Sequence, residues 1–287
     1  MTGHVTTPAA ALADQLPTWV TLLRAPNPGP LTLDGTNTWV LRAPGGTEAV
    51  VVDPGPLDAG HLAAIAEHAP ISLILITHGH PDHVDGVEEL SAAVGAPARG
   101  LVDGRAVAEP SSTTRSHPGD TGLRPGDIFI LDGLEITVLA TPGHTADSAC
   151  FLVEHAGEQV VLTGDTILGR GTTVITQPDG DLGDYLDSLD LLSAYDGVPV
   201  LPGHGPALAD CGAAARFYLA HRHARLDQVR QARDRGARTA SEVVAMVYAD
   251  VDRSLWPAAE WSVHAQLAYL ERQDRESPPG VVGLDTL

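Results

Sequence analysis

Cysteine is scarce in this chain: Cys150 and Cys211 are the only two in 287 residues, too few for a disulfide framework. Cys150 stands in the apolar run 149–153 and reads as a buried structural thiol rather than a reactive one. No stretch has the length and apolarity of a membrane span. Residues 1–20 lack a basic leader, and Asp14 interrupts their one modest apolar run, so no secretory signal is read and the cytoplasm is the expected compartment. Lysine is absent altogether, since all 17 basic residues are arginine; this absence carries no functional reading. There is no internal repeat or low-complexity tract, and the 22 prolines are dispersed, which excludes wholesale disorder.

Positive charge is also in short supply. A formal charge of −20 argues against a general basic surface that coats nucleic acid, because such binding is driven by phosphate neutralisation and counterion release. The deficit is uneven, however. Arg216, Arg222, Arg225, Arg230, Arg233, Arg235 and Arg238 fall within 23 positions that hold only two acids, Asp227 and Asp234. That segment reads either as a solvated helix face or as a surface that meets an anionic substrate or partner.

What is present is a globular composition, 43% hydrophobic and 19% charged, on a chain long enough to bury a full core. Apolar runs of strand length recur at 37–41, 49–52, 71–76, 134–139, 150–153, 160–162 and 198–201. Helical patterns lie between some of them, at 58–68, 84–94 and 184–193. Mixed strand and helix order gives an α/β or α+β class, with sheets covered by helices. From about Cys211 the texture becomes helical, over 213–235, 239–251 and 258–273. The expected organisation is a catalytic domain at 1–210, a helical C-terminal subdomain at 211–276 and a mobile tail at 277–287.

Directly after the strand 71–76 comes Thr77-His78-Gly79-His80-Pro81-Asp82-His83. A strand that ends in a tight turn containing Gly79 and Pro81 aims several side chains into one cleft at a sheet edge. Imidazole nitrogen and carboxylate oxygen suit zinc and similar divalent ions, and four such donors in six residues exceed chance clustering. His144, Asp165 and His204 also follow strand-like runs and sit beside glycine. Each alone reads equally well as an ordinary loop histidine or a capping aspartate. The repeated scheme of strand, glycine turn and ligand implies that one sheet edge gathers them all.

At these residues the chain resembles the metallo-beta-lactamase superfamily, whose His-x-His-x-Asp-His motif is followed by a lone His, a lone Asp and a lone His. The resemblance spans about residues 30–210 and implies an αββα sandwich holding two divalent metal ions, zinc foremost, with manganese or iron as alternatives. By position, His78, His80 and His144 would bind the first ion, Asp82, His83 and His204 the second, and Asp165 would bridge them. Val84-Asp85-Gly86 departs from the usual Gly-Gly; aspartate tolerates a left-handed conformation better than most residues. The stretches 27–30, 35–38, 166–173, 184–189 and 221–225 resemble the beta-lactamase-like protein 2 group, which includes a single-strand endoribonuclease.

The implied chemistry is hydrolysis by a hydroxide shared between two ions, with Asp82 orienting it and relaying a proton or serving only as a ligand. Asn37, Thr172 and Thr173 read either as donors to a substrate oxyanion or as turn organisers. His221 and Arg225, four apart on a helix with Arg222 beside them, read either as an anion-holding stripe or as surface salt-bridge formers. His4, His61, His68, His117, His155 and His264 need no role beyond solvent-facing or core positions, and Trp256 and Trp261 are expected to pack. The leading substrate expectation is a phosphodiester in single-stranded RNA. The alternatives are a thioester, as in hydroxyacylglutathione hydrolases, and a non-hydrolytic metal-binding or redox partner module. The implied partner is a small-molecule or single-stranded nucleic-acid substrate, with no membrane, and the oligomeric state is left open.

Overall fold

The computed structural model describes residues 16–101, 122–175 and 178–276. The tail expected at 277–287, together with His4 and His117, lies outside these residues. The first sheet takes its strands in chain order: β1 (Val20–Arg24), β2 (Asn37–Leu41), β3 (Ala49–Val52), β4 (Ile71–Leu75), β5 (Ala98–Leu101) and β6 (Gly122–Leu123). Pairing is antiparallel up to β3 and parallel from β3 to β6. Helices α1 (Ala59–Ala66), α2 (Pro81–Val84) and α3 (Val87–Val94) lie between its strands in sequence. The second sheet contains β7 (Ile128–Leu131), β8 (Leu134–Ala140), β9 (Ala149–His155), β10 (Glu158–Gly164) and β11 (Val200–Pro202). It is an antiparallel meander closed by β11, which runs parallel to β10 after a crossover through α4 (Leu182–Leu192).

Alternation along each strand fixes the layers. Trp39, Leu41, Val50, Val52, Leu73 and Leu75 face Ile136, Val138, Phe151, Val153, Val160 and Leu162 between the sheets. Their neighbours Val40, Val51 and Ile74 turn the other way, onto Leu62 and Ile65 of α1 and Leu90 of α3. On the second sheet Cys150, Val161 and Val200 likewise turn outward, onto Leu186 and Leu189 of α4. Strands buried on both faces read as unbroken apolar runs, and each such side chain contributes about 1.5–3 kcal/mol by leaving water. The result is the expected αββα sandwich.

The C-terminal helices α5 (Cys211–Asp234), α6 (Ala240–Val247) and α7 (Trp256–Glu276) follow, with a short 3₁₀ turn at Arg253–Leu255 before α7. Asp210 caps α5 by accepting the Ala213 amide at 2.9 Å, and Thr239 with Glu242 forms a reciprocal capping box on α6. Leu226, Val229, Val243, Val263 and Leu270 extend the same core that receives Cys150 and Val161. Among the described residues no helix is long and apolar enough to cross a membrane.

Three expectations need correction. The helix read over 84–94 is broken between Val84 and Val87. There the chain turns against α1, where a side chain on Gly86 would come within 2.7 Å of Leu62 and 3.1 Å of the Pro56 carbonyl. Asp85 is right-handed at φ −59°, so its tolerance of a left-handed conformation is not called upon. Trp261 is half exposed instead of packed, whereas Trp256 packs against the helical core and donates its indole N–H to the Val251 carbonyl at 3.1 Å.

Candidate metal centre

Strands β4, β8, β10 and β11 deliver their following turns to one rim of the sandwich. After β4 the turn 77–80 runs into α2, whose Pro81 occupies the first helical turn, where its missing N–H costs nothing. Asp82 and His83 follow on that first turn. His144 follows β8, Asp165 follows β10 and His204 follows β11.

All seven expected ligands converge. Donor atoms of His78, His80 and His144 lie within 4.8 Å of one another, and so do those of Asp82, His83 and His204. His78 Nε2 and His144 Nε2 approach His80 Nδ1 at 3.0 and 3.1 Å. In the second group His204 Nε2 is 3.3 Å from His83 Nε2 and 3.1 Å from Asp82 Oδ2. Asp165 stands between the two groups: Oδ1 is 3.5 Å from His83 Nε2 and 3.4 Å from His204 Nε2, while Oδ2 is 3.7 Å from His144 Nε2. His78, His83 and Asp165 also form a close triad of their own, which joins the two groups.

The outward-facing ring atoms settle which nitrogens carry protons. His144 Nδ1 donates to the Val174 carbonyl at 2.7 Å, and His83 Nδ1 donates to Asp53 Oδ2 at 2.8 Å. His78 Nδ1 faces Thr77 Oγ1 at 3.0 Å; that hydroxyl has already given its proton to Asp53 Oδ2 at 2.7 Å, so it can only accept. The Nε2 atoms of His78 and His144 are therefore bare lone pairs aimed inward, the form in which imidazole binds a metal; on His83 burial opposes a charge, but Asp53 and Asp165 outweigh it and raise its pKa. Lone pairs at such separations repel unless a cation lies among them. Asp165 Oδ1 is buried and has no hydrogen-bond partner, a costly state for a carboxylate oxygen. The residues fit a pair of divalent ions on nitrogen and oxygen donors.

Electrostatics agree with the geometry. Burial holds the His78 and His144 imidazoles below their usual range and so keeps them neutral. Burial opposes a charge on Asp165, but the His204 and His83 imidazoles beside it outweigh burial and hold the carboxyl ionised, well below the ordinary range. On His204 burial again works against charge, yet the Asp165 and Asp82 carboxylates beside it push its pKa up to about 10. In the absence of a cation, the carboxylates draw in a proton instead, so cation binding releases protons.

Asn37 does not offer a free donor. Asn37 is buried, its amide group donating to the Pro202 and Gly205 carbonyls at 3.0 and 2.8 Å, which ties β2 to the turn that carries His204. Thr173 Oγ1 lies 3.2 Å from His144 Nδ1 and belongs to the support of that ring, and Thr172 is half-buried in the same loop. His221 is half-buried, and burial together with Arg222 and Arg225 drives its pKa down to about 4. Arg225 covers the Tyr248 ring at 4.3 Å and donates to Gln228 at 2.8 Å. Elsewhere in the arginine-rich segment Arg216, Arg230 and Arg233 pair with Asp196, Asp227 and Asp274, so much of its charge is answered within the fold.

Three contributors were not anticipated. Asp53 collects Thr77 and His83, and Thr36 places its hydroxyl 3.3 Å from Asp82 Oδ2. Gly203 was passed over as a turn residue, although a side chain there would come within 2.6 Å of Asp165 Oδ1 and 2.7 Å of His83.

Comparison with known proteins agrees. The chain is 31% identical over 261 residues to a beta-lactamase-like protein 2 homolog of Drosophila melanogaster, covering 87% of this chain and 86% of that protein. It is 32% identical to an atrochrysone carboxyl ACP thioesterase of Aspergillus chevalieri, over 79% of this chain and 72% of the relative. The crystal structure of a metallo-beta-lactamase family protein from Thermus thermophilus superposes with a TM-score of 0.70 at 25% identity, covering 90% of this chain and 95% of that one. A model of the beta-lactamase associated winged helix domain matches residues 239–275. The metallo-beta-lactamase superfamily model matches residues 31–204, more than half of the sequence, and the chain belongs to that superfamily.

Proposed function

We propose that this metal-dependent hydrolase cleaves a thioester, using two divalent ions held at the sandwich rim. The observation that carries the two-ion reading is Asp165, whose two oxygens face two different ligand groups. His78, His80 and His144 would hold one ion, Asp82, His83 and His204 the other, with zinc foremost on this donor set and manganese or iron as alternatives. When bound, such a pair supplies an activated water and a Lewis acid for the bond under attack.

The chain's own groups do the rest. Asp82 is the most open of the carboxylates, at 27% exposure against 12% for Asp165. It is therefore the one that meets incoming water, and its carboxylate receives the proton that the water gives up. As the water oxygen bonds to the acyl carbon, the carbon–sulfur bond breaks and the proton passes to the departing thiolate. Thr36, hydrogen-bonded to Asp82 and held by Asn27 at 3.0 Å, keeps the carboxylate turned inward.

Two observations favour a thioester over a polyanion: the likeness to a thioesterase across 79% of the chain, and the pairing of the arginine segment within a protein of charge −20. The second reading, hydrolysis of single-stranded RNA, is supported by the likeness to the beta-lactamase-like protein 2 homolog over 87% of the chain. Protein loaded in turn with zinc, manganese and iron is assayed on acyl thioesters and on short single-stranded RNA, beside His80→Ala and Asp82→Asn. The expected result is thioester turnover that His80→Ala abolishes and that Asp82→Asn lowers about 10²–10⁴-fold with both ions retained. RNA cleavage without thioester turnover would reverse the substrate assignment.

A further inference from the structure

The stretches 166–173 and 221–225 meet in the structure. The loop after Asp165 is tied to α5 by hydrogen bonds from two of its side chains. Tyr218 and Arg222, four residues apart, share one face of that helix. The Tyr218 hydroxyl accepts the Leu168 N–H at 3.1 Å and donates to the Gly171 carbonyl at 2.9 Å. Arg222 Nη2 donates to the Thr173 carbonyl at 2.6 Å, and its guanidinium lies 5.0 Å from the centre of the Tyr185 ring. Tyr185 in turn donates to the Thr166 carbonyl at 2.7 Å.

Arg222 is an expensive residue to keep in this place. It is buried, its Nε lacks a hydrogen-bond partner, and no carboxylate pairs with it among the described residues. A buried guanidinium so incompletely satisfied destabilises a fold. Its one short hydrogen bond ends on Thr173. Thr173 Oγ1 touches His144 Nδ1 at 3.2 Å, and the next carbonyl, that of Val174, accepts the His144 ring proton at 2.7 Å.

We propose that Arg222 is a positioning residue for the His78, His80 and His144 half of the metal centre. It anchors the backbone at 173–174, and that backbone selects the His144 tautomer and aims Nε2 at the ion. The C-terminal helices thereby act on the metal centre without supplying a ligand. The proposal rests on the two-ion reading.

The test is metal affinity by competition with a chelator, plus the absorption spectrum of the cobalt(II)-loaded protein, in Arg222→Met and Arg222→Lys. Arg222→Met is expected to weaken one of the two ions about 10–100-fold and to change the cobalt spectrum, and Arg222→Lys, which keeps a donor, to recover part of both. The loss should vanish when His144→Ala is already present and persist in a His204→Ala background, because only the first site depends on Arg222. Equal losses in both backgrounds would reduce Arg222 to general structural support. Wild-type affinities and spectrum in folded Arg222→Met would overturn the proposal; should that variant not fold, wild-type behaviour in Arg222→Gln would do so. A wild-type chain that binds no second ion would instead overturn the two-ion reading and this proposal with it.

Discussion

Asp53 accepts the Thr77 N–H at 2.8 Å, the Thr77 hydroxyl at 2.7 Å and the His83 Nδ1 proton at 2.8 Å. It does so from a left-handed backbone at φ +54°, a conformation that costs a non-glycine residue about 1–3 kcal/mol. Asp53→Ala should therefore lower metal affinity about 10–100-fold and leave buried Thr77 donors unpaired, at about 1–3 kcal/mol. Chelator competition and denaturant unfolding read the two effects separately; unchanged affinity would show that Asp53 does not orient the ligands. The ligands themselves were legible because four donors crowd into six residues. Asp53 was not, because Asp53-Pro54-Gly55 looks like any turn, although it repeats the strand, glycine and acid scheme that marked Asp165. Asn37 stayed open between two readings for a related reason: an amide beside glycines serves a turn or a substrate equally well, and only the position of the His204 turn decides.

Among the elements, the strands read correctly were those buried on both faces together with β8, whose buried residues alternate with more open ones, while β1, β5, β6 and β7 were missed. Strands β1 and β6 end their sheet and β5 is only half-buried, so their sequences carry less apolar contrast, whereas the β7 run Ile128-Phe129-Ile130-Leu131 is wholly apolar and was passed over. For β7 a signal existed: Asp132-Gly133, both at positive φ, is a two-residue hairpin turn joining it to β8. Side chains on this hairpin make the energetic point. Ile136 of β8 is fully buried between the sheets, whereas Ile130 of β7 is 76% exposed. Ile136→Ala should cost about 2–5 kcal/mol by leaving a cavity, and Ile130→Ala within about 0.5 kcal/mol of nothing. Urea unfolding of the two variants measures both, and equal losses would contradict the exposure of Ile130.

For the molecule as a whole, the origin of the ligands matters more than their number. His78, His80, Asp82 and His83 follow a strand of the first sheet; His144, Asp165 and His204 follow strands of the second. Cations bound among them would rivet the two halves of the sandwich at one rim, and the unfolded chain offers no equivalent. Holding a site at about 100 times its dissociation constant adds about 2.7 kcal/mol to folding. Melting temperature should accordingly fall when ions are stripped by a chelator and return on their restoration, and His78→Ala or His144→Ala should each blunt that response, although they lie on opposite sheets. A cell starved of metal would then lose this protein twice over, first as a catalyst and then as a durable fold open to proteolysis.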